Sequence, residues 1–160
     1  MTEQQADTDV RVEVGVEAPI ERTFQVFTER VESWWPRAYR LGESAWVDVV
    51  IEPHEGGRWC ERGQDGNDCD WGRVLVWDPP LRLVLSWQIG VTFAAQSDPG
   101  LASRVDVRFE SDGPSRTNVT LVHSDFEKHG EGWESMRGGV AHEGGWPGIL
   151  KAFAEVAATQ

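Results

Sequence analysis

The segment from Glu52 to Trp87 narrows the choice of fold further than any other part of the chain. It alternates apolar and polar residues between glycines and prolines, a pattern typical of half-buried β-strands. The Gly, Asp and Asn residues between Gly63 and Asp68 predict one turn, and Asp78-Pro79-Pro80 predicts a second, tighter corner. Three strands are therefore predicted, at Arg58 to Arg62, Asp70 to Asp78 and Leu81 to Gln88.

The part of the chain before this segment predicts one strand, one helix and a further strand. Valine occupies every second position from Val10 to Val16, which indicates a half-buried opening strand. Ala18-Pro19 ends that strand, because proline is tolerated in the first turn of a helix. Apolar residues at helical spacing then predict a short amphipathic helix to about Glu32, which Trp34-Trp35-Pro36 terminates. Trp46 to Ile51 predicts the second strand.

The rest of the chain predicts a hairpin followed by a terminal helix. The alternation around Val105 to Phe109 and at Thr117 to Ser124 indicates two strands, whereas Ile89 to Ala102 is ambiguous and could extend the fifth strand. An apolar stripe at helical steps predicts a last helix whose stripe faces the sheet. Five glycines between Glu131 and Gly145 weaken a helix there, so we expect it to be broken or to start late. The stripe residues are Trp146, Ile149, Leu150, Phe153, Val156 and Ala157.

Length and charge limit the possible partners. The chain has 160 residues, enough for one domain, and a net charge of −12. The sequence contains no basic run that could neutralise phosphates, so we expect no nucleic-acid partner and no anionic membrane surface. The polar residues 1–9 read as a disordered tail rather than a secretory signal, which makes the cytoplasm the expected compartment. A single domain is predicted over residues 10–158.

Several short motifs together resemble one large superfamily. They include Glu52-Pro53 with Gly56-Gly57-Arg58, Trp71-Gly72-x-Val74, and Gly145-Trp146 at the start of the last helix. The chain resembles the START-like (SRPBCC) superfamily, in the branch of the heat-shock chaperone ATPase activator homologue and polyketide cyclase-like proteins. This resemblance implies an α+β helix-grip fold, also known from birch-allergen-like proteins. A curved antiparallel sheet of about six or seven strands would wrap round a long C-terminal helix, leaving a cavity between them.

The sequence gives little support for a metal site or for a catalytic nucleophile. His54-Glu55-Gly56-Gly57 and His142-Glu143-Gly144-Gly145 are identical tetrapeptides, but neither continues as the H-E-x-x-H signature of a zinc site. Cys60 and Cys69 match no zinc spacing. A buried free cysteine usually packs as a small hydrophobe, so we expect no catalytic thiol, no metal and no cofactor.

His123 is the titratable residue that attracts most interest. By alternation it shares the inward face of Val119 and Leu121 and should point towards the terminal helix. There it could orient a ligand carbonyl or act as a weak acid/base candidate. The alternative, which we favour, is a histidine that hydrogen-bonds within the core and only caps it.

Nine tryptophans are the strongest functional signal. Tryptophan is large and is rarely buried completely in a core. Flat, rigid rings around a cavity suit planar ligands. Parity on the strand from Asp70 to Asp78 is ambiguous, because Trp71, Leu75 and Trp77 share a side with Arg73. The predicted ligand-binding residues are Trp46, Trp59, Trp71, Trp87, Trp133, Trp146 and His123.

Three functions compete at this point. The leading hypothesis is binding of a small hydrophobic or aromatic ligand in the cavity, without catalysis. The first alternative is a cyclase or hydrolase that uses the same cavity, with His123 as acid/base. The second is a protein-interaction or chaperone-regulating module, or a homodimer, which predicts an exposed apolar patch around Trp34 and Trp35.

Overall fold

The computed structural model describes residues 8–39, 41–42, 44–92 and 96–159. The predicted tail at residues 1–9 lies outside this range except for Thr8 and Asp9, whose carbonyls accept hydrogen bonds from Arg137. Residues 93–95 of the ambiguous segment also lie outside it. The elements are β1 (Val10–Val16), α1 (Ile20–Glu29), α2 (Val31–Trp34), β2 (Trp46–Ile51), β3 (Arg58–Gly63), β4 (Asp68–Asp78), β5 (Arg82–Trp87), β6 (Ser103–Ser111), β7 (Thr117–Ser124), α3 (Trp133–Ala141) and α4 (Trp146–Thr159).

The seven strands form one antiparallel sheet in the order β1-β7-β6-β5-β4-β3-β2. Strands β2 to β7 follow one another as a meander, and β1 pairs with β7 from Val10 opposite His123 to Val16 opposite Thr117. The consecutive strands β1 and β2 therefore lie at opposite edges, so α1 and α2 must span the sheet between them. With α4 packed on β1, α1 and α2, this is the predicted α+β helix-grip fold.

The terminal helical segment is broken, as its glycines predicted. Helix α3 ends at Ala141, His142 is extended with a ψ of 161°, and α4 begins at Trp146. The apolar stripe of α4 then faces the core, and the side chains of Leu150 and Phe153 are completely buried. Burial of this stripe supplies most of the stability that so short a helix lacks on its own.

The first helix is also broken, in contrast to the continuous helix predicted to about Glu32. Arg30 leaves the helical region with φ −129° and ψ 34°, which separates α1 from α2. This bend lets Trp34 pack on Phe27 and Phe153 and donate its indole N–H to the Val26 carbonyl over 3.2 Å.

Two β-bulges in β4 explain why its facing pattern was ambiguous. The pairing register shifts next to Trp71 and again between Val74 and Val76. Each shift moves the residues that follow to the other face of the sheet. Trp71 is therefore completely buried while Leu75 is 42% exposed, although both have the same parity in the sequence.

Candidate functional site

The main cavity lies where the broken terminal helix meets the end of β5. Its volume is about 420 Å³. One wall comes from α3, α4 and their junction, another from the chain that follows α2, and the third from the end of β5 and Ile89. The lining residues are Trp35, Ala38, Tyr39, Leu41, Trp87, Ile89, Gly139, Val140, His142, Gly144, Gly145 and Ile149.

A close backbone contact shapes the helix junction. A Cβ atom at Gly145 would lie 2.3 Å from the Val140 carbonyl oxygen, so no larger residue fits there without moving the end of α3. The Tyr39 hydroxyl donates to the Gly144 carbonyl over 2.7 Å and ties the segment after α2 to this junction. Tyr39 and His142 are both exposed, so the mouth of the cavity lies between them.

The cavity is largely apolar. Among the described lining residues, only Tyr39 and His142 have polar side chains apart from the indole N–H groups, and none is permanently charged. Apolar walls with a few placed polar groups are typical of small-molecule sites.

Packed indoles form the inner side of the cavity. Trp35 is at their centre, with its ring centroid 4.9 Å from that of Trp71 and 5.6 Å from that of Trp146. Trp59 meets Trp35 nearly edge to face, with 88° between the ring planes. T-shaped contacts of this kind are favourable, because the edge of one ring meets the face of the other. The packed rings fill part of the gap between helix and sheet, and the cavity lies beside them.

The hydrogen bonds of these indoles separate them into two groups. Trp71 donates to Glu61, and Trp146 donates to His123. In contrast, four buried indole nitrogens have no hydrogen-bond partner among the described residues. These four belong to Trp35, Trp46, Trp59 and Trp87.

His123 is the centre of a buried hydrogen-bond chain. The Trp146 indole N–H donates to His123 Nδ1 over 3.0 Å, which requires that this nitrogen carry no proton. His123 Nε2–H therefore donates to Ser103 Oγ at 2.7 Å, and Ser103 Oγ in turn donates to His129 Nε2 at 2.6 Å. Phe126 stacks on the His123 ring at 4.2 Å. The chain orders the tautomers of both histidines.

This environment holds His123 neutral. Complete burial lowers its pKa well below the usual value, and the nearby His129 lowers that pKa further. Burial likewise lowers the pKa of His129. His123 is not a lining residue of the cavity.

Glu61 is a buried carboxylate that the sequence reasoning missed. It is 1% exposed, and its Oε1 accepts hydrogen bonds from the Leu41 backbone and from Trp71 Nε1. Its Oε2 is buried without a hydrogen-bond partner among the described residues. Glu61 lies two residues after Trp59 on the same strand, and this shared facing could have predicted its burial. Glu61 fixes the Leu41 segment, and with it one wall of the cavity, against β3.

The structure separates the predicted ligand-binding residues. Trp87 lines the cavity, whereas Trp46, Trp59, Trp71 and Trp146 are buried in the indole cluster around it. Trp133 is half-buried at the start of α3 and is not a lining residue. Conversely, Trp35, Tyr39 and His142 line the cavity but were not predicted to do so.

The exposed patch predicted around Trp34 and Trp35 is wrong. Their exposed fractions are 4% and 5%, because the break after α1 turns both rings inwards. The cysteines are free, with Cys60 completely buried. Burial raises the pKa of the Cys60 thiol and raises that of Cys69 to about 11, the opposite of what a reactive thiol needs.

Two further features are missing from the described residues. No group of His, Cys, Asp or Glu side chains there is arranged to hold a metal ion. In the same part of the chain, no helix combines the length and the apolar character that a membrane crossing requires.

Comparison with known proteins identifies the family. Residues 17–158 match the family model described as activator of Hsp90 ATPase homolog 1-like protein. The chain belongs to this family. A comparison with curated proteins finds no match.

Solved structures of similar proteins extend this result. An anthrahydroquino-γ-pyrone synthase, Txn09, is 36% identical over 92% of this chain and 96% of its own, with a TM-score of 0.66. CalC from Micromonospora echinospora, a self-sacrificing resistance protein, is 28% identical over 94% of each chain, with a TM-score of 0.69. The Aha1 dimer from Colwellia psychrerythraea, at 15% identity over 94% of this chain and 96% of its own, shares the fold with a TM-score of 0.62.

Proposed function

We propose that this protein binds a small, neutral, aromatic or hydrophobic ligand in the cavity between the broken terminal helix and the sheet. The observation that carries the proposal is the cavity itself, which remains although indoles fill the space beside it. Its described walls are apolar and uncharged, which favours a ligand that loses little hydration on entry. The similarity to a synthase of a fused aromatic product supports the same ligand class.

Native mass spectrometry of the purified protein tests the proposal most directly. We expect a bound small molecule that is released on unfolding. Equilibrium dialysis with fluorene, a neutral tricyclic hydrocarbon, provides a second test with a defined probe. If the protein neither co-purifies with a small molecule nor retains fluorene, the binding hypothesis fails.

Filling the cavity should weaken ligand binding strongly without unfolding the protein. Gly139 lies in α3 and lines the cavity, so the substitution Gly139→Leu places a branched side chain at its wall. We expect fluorene to bind at least about tenfold more weakly, because steric overlap that costs about 1.4 kcal/mol of binding free energy raises the Kd tenfold. Equilibrium dialysis gives the affinity, and thermal unfolding followed by circular dichroism shows that the fold persists.

The neighbouring glycine provides a matched control. Gly138 also lies in α3 but is not a lining residue, and a Cβ atom there would meet nothing within 4 Å. Gly138→Leu makes the same change in helix propensity and should leave fluorene binding intact. Equal loss of binding in both variants would show that the helix, rather than the cavity, controls affinity.

A second candidate function is catalysis in the same cavity, favoured by the similarity to a synthase. His123 is the acid/base residue proposed from the sequence. Its two ring nitrogens are hydrogen-bonded to Trp146 and Ser103, so proton transfer to a ligand would have to displace one of these partners. Turnover lost in His123→Ala with binding retained would favour catalysis, and unchanged turnover would remove His123 from the mechanism.

The homodimer predicted from the sequence also stays a prediction. Light scattering coupled to size-exclusion chromatography of the purified protein measures its mass in solution and tests it.

A further inference from the structure

His142 and Tyr39 are the polar side chains, beyond the indoles, that the described wall of the cavity presents to a ligand. Both are hydrogen-bonded to the same residue of the helix junction. The Gly144 N–H donates to His142 Nδ1 over 3.2 Å, and the Gly144 carbonyl accepts from the Tyr39 hydroxyl over 2.7 Å. One glycine residue therefore orders both groups at the mouth of the cavity.

The bond from Gly144 determines which nitrogen of His142 carries the proton. A nitrogen that accepts from a backbone N–H cannot itself be protonated, so the proton of the neutral imidazole is on Nε2. No hydrogen bond to Nε2 is found within the described residues, and the side chain is exposed. The ring thus has a free N–H donor at the edge of an apolar cavity.

We propose that His142 Nε2–H is the group that recognises the ligand, and that it selects neutral aromatic molecules with a ring carbonyl. This inference rests on the proposed ligand-binding function and adds the chemistry of selection. The described lining residues have no permanent charge, so a neutral acceptor suits the site better than a carboxylate. Tyr39 is a positioning residue, since its hydroxyl is already engaged with Gly144.

The chain contains a matched control for this histidine. His54 begins the same tetrapeptide, His-Glu-Gly-Gly, in the turn between β2 and β3. There the histidine Nδ1 contacts the Glu55 carbonyl at 3.0 Å instead of a glycine N–H, and the residue is not a lining residue of the cavity. The two histidines share a local sequence and differ in position.

The test compares fluorenone with fluorene, which differ by one ring carbonyl, in equilibrium dialysis. For the wild type, His142→Phe and His54→Phe, the measured quantity is the ratio of the fluorene Kd to the fluorenone Kd. We expect this ratio to fall about fivefold in His142→Phe, which is the scale of one neutral hydrogen bond. In His54→Phe it should not change. Using the ratio cancels any general change in cavity size or stability.

A second measurement needs no variant. In ¹⁵N NMR spectra of the wild type, fluorenone should shift the His142 Nε2–H signal more than fluorene does, because only fluorenone offers a hydrogen-bond acceptor. An unchanged Kd ratio in His142→Phe, or equal shifts with both probes, would overturn the role of His142. In that case the binding of fluorene would still support the proposed ligand-binding function. Failure of both probes to bind would overturn the two proposals together.

Discussion

Replacing Gly72 by alanine is expected to destabilise the protein by about 3 kcal/mol, since forced overpacking costs on this scale. A Cβ atom at this position would lie 1.8 Å from the Ser86 carbonyl oxygen and 2.9 Å from its carbonyl carbon. Both atoms belong to the backbone of β5, so the clash can be relieved only by separating β4 from β5. Urea denaturation followed by circular dichroism measures the free energy of unfolding.

Gly138→Ala is the matched control for this prediction. It makes the same chemical change in α3, where a Cβ atom would meet nothing within 4 Å. Because alanine is the better helix former, we expect a gain of about 0.8 kcal/mol. If Gly72→Ala lay within about 0.5 kcal/mol of the wild type, as an ordinary surface substitution does, the close approach of β4 and β5 would be wrong.

Acid is expected to destabilise the protein from about pH 6.5 downwards, through His123. Burial lowers the pKa of His123 in the folded state, so below the ordinary histidine pKa the unfolded chain binds the extra proton. Stability is then fully present above that pKa and is lost as pH falls, by at most about 1.4 kcal/mol per pH unit for one histidine. His129, whose pKa is also lowered, adds to the same trend.

Urea unfolding between about pH 5 and pH 8 measures this dependence. In His123→Leu the slope should become shallower. The variant should also lose about 1–3 kcal/mol at neutral pH, because the buried indole N–H of Trp146 is left without a partner and Ser103 keeps only its bond to His129. His54→Gln, at an exposed turn, controls for the loss of an imidazole. Carboxylates such as Asp48, whose pKa the hydrogen bond from Arg62 lowers, act only at more acidic pH.

The same slope in the wild type and in His123→Leu would contradict the buried neutral histidine. It would also remove the tautomer assignment that follows from the Trp146 hydrogen bond.

Much of the fold was predictable because its signals are local. The bounds of β2 (Trp46–Ile51) and β7 (Thr117–Ser124) coincide with the predicted strands, since alternation records which side of a strand is buried. The glycines before Trp146 likewise predicted the broken terminal helix. The break at Arg30 was missed because no proline or glycine marks it.

The site was much less predictable. The protein-interaction alternative placed Trp34 and Trp35 in an exposed patch, whereas the bend after α1 buries both, and Trp35 lines the cavity. Bulges in β4 then reversed the facing that parity assigned to Leu75 relative to Trp71. A bulge adds one residue to one strand only, and it cannot be predicted from the composition of that strand.

The amino-acid pattern was enough to predict the strands and the amphipathic segments, because periodicity depends on neighbours a few residues apart. Short motifs, rather than periodicity, carried the resemblance to the family. Which residues line the cavity, and that His142 Nε2–H is a free donor there, depended on the folded chain. Tyr39 meets Gly144 across 105 positions, and the identical tetrapeptides at His54 and His142 acquire different partners. Hydrogen-bond partners are assigned by distance in space, and for residues far apart in the chain only packing brings them within reach.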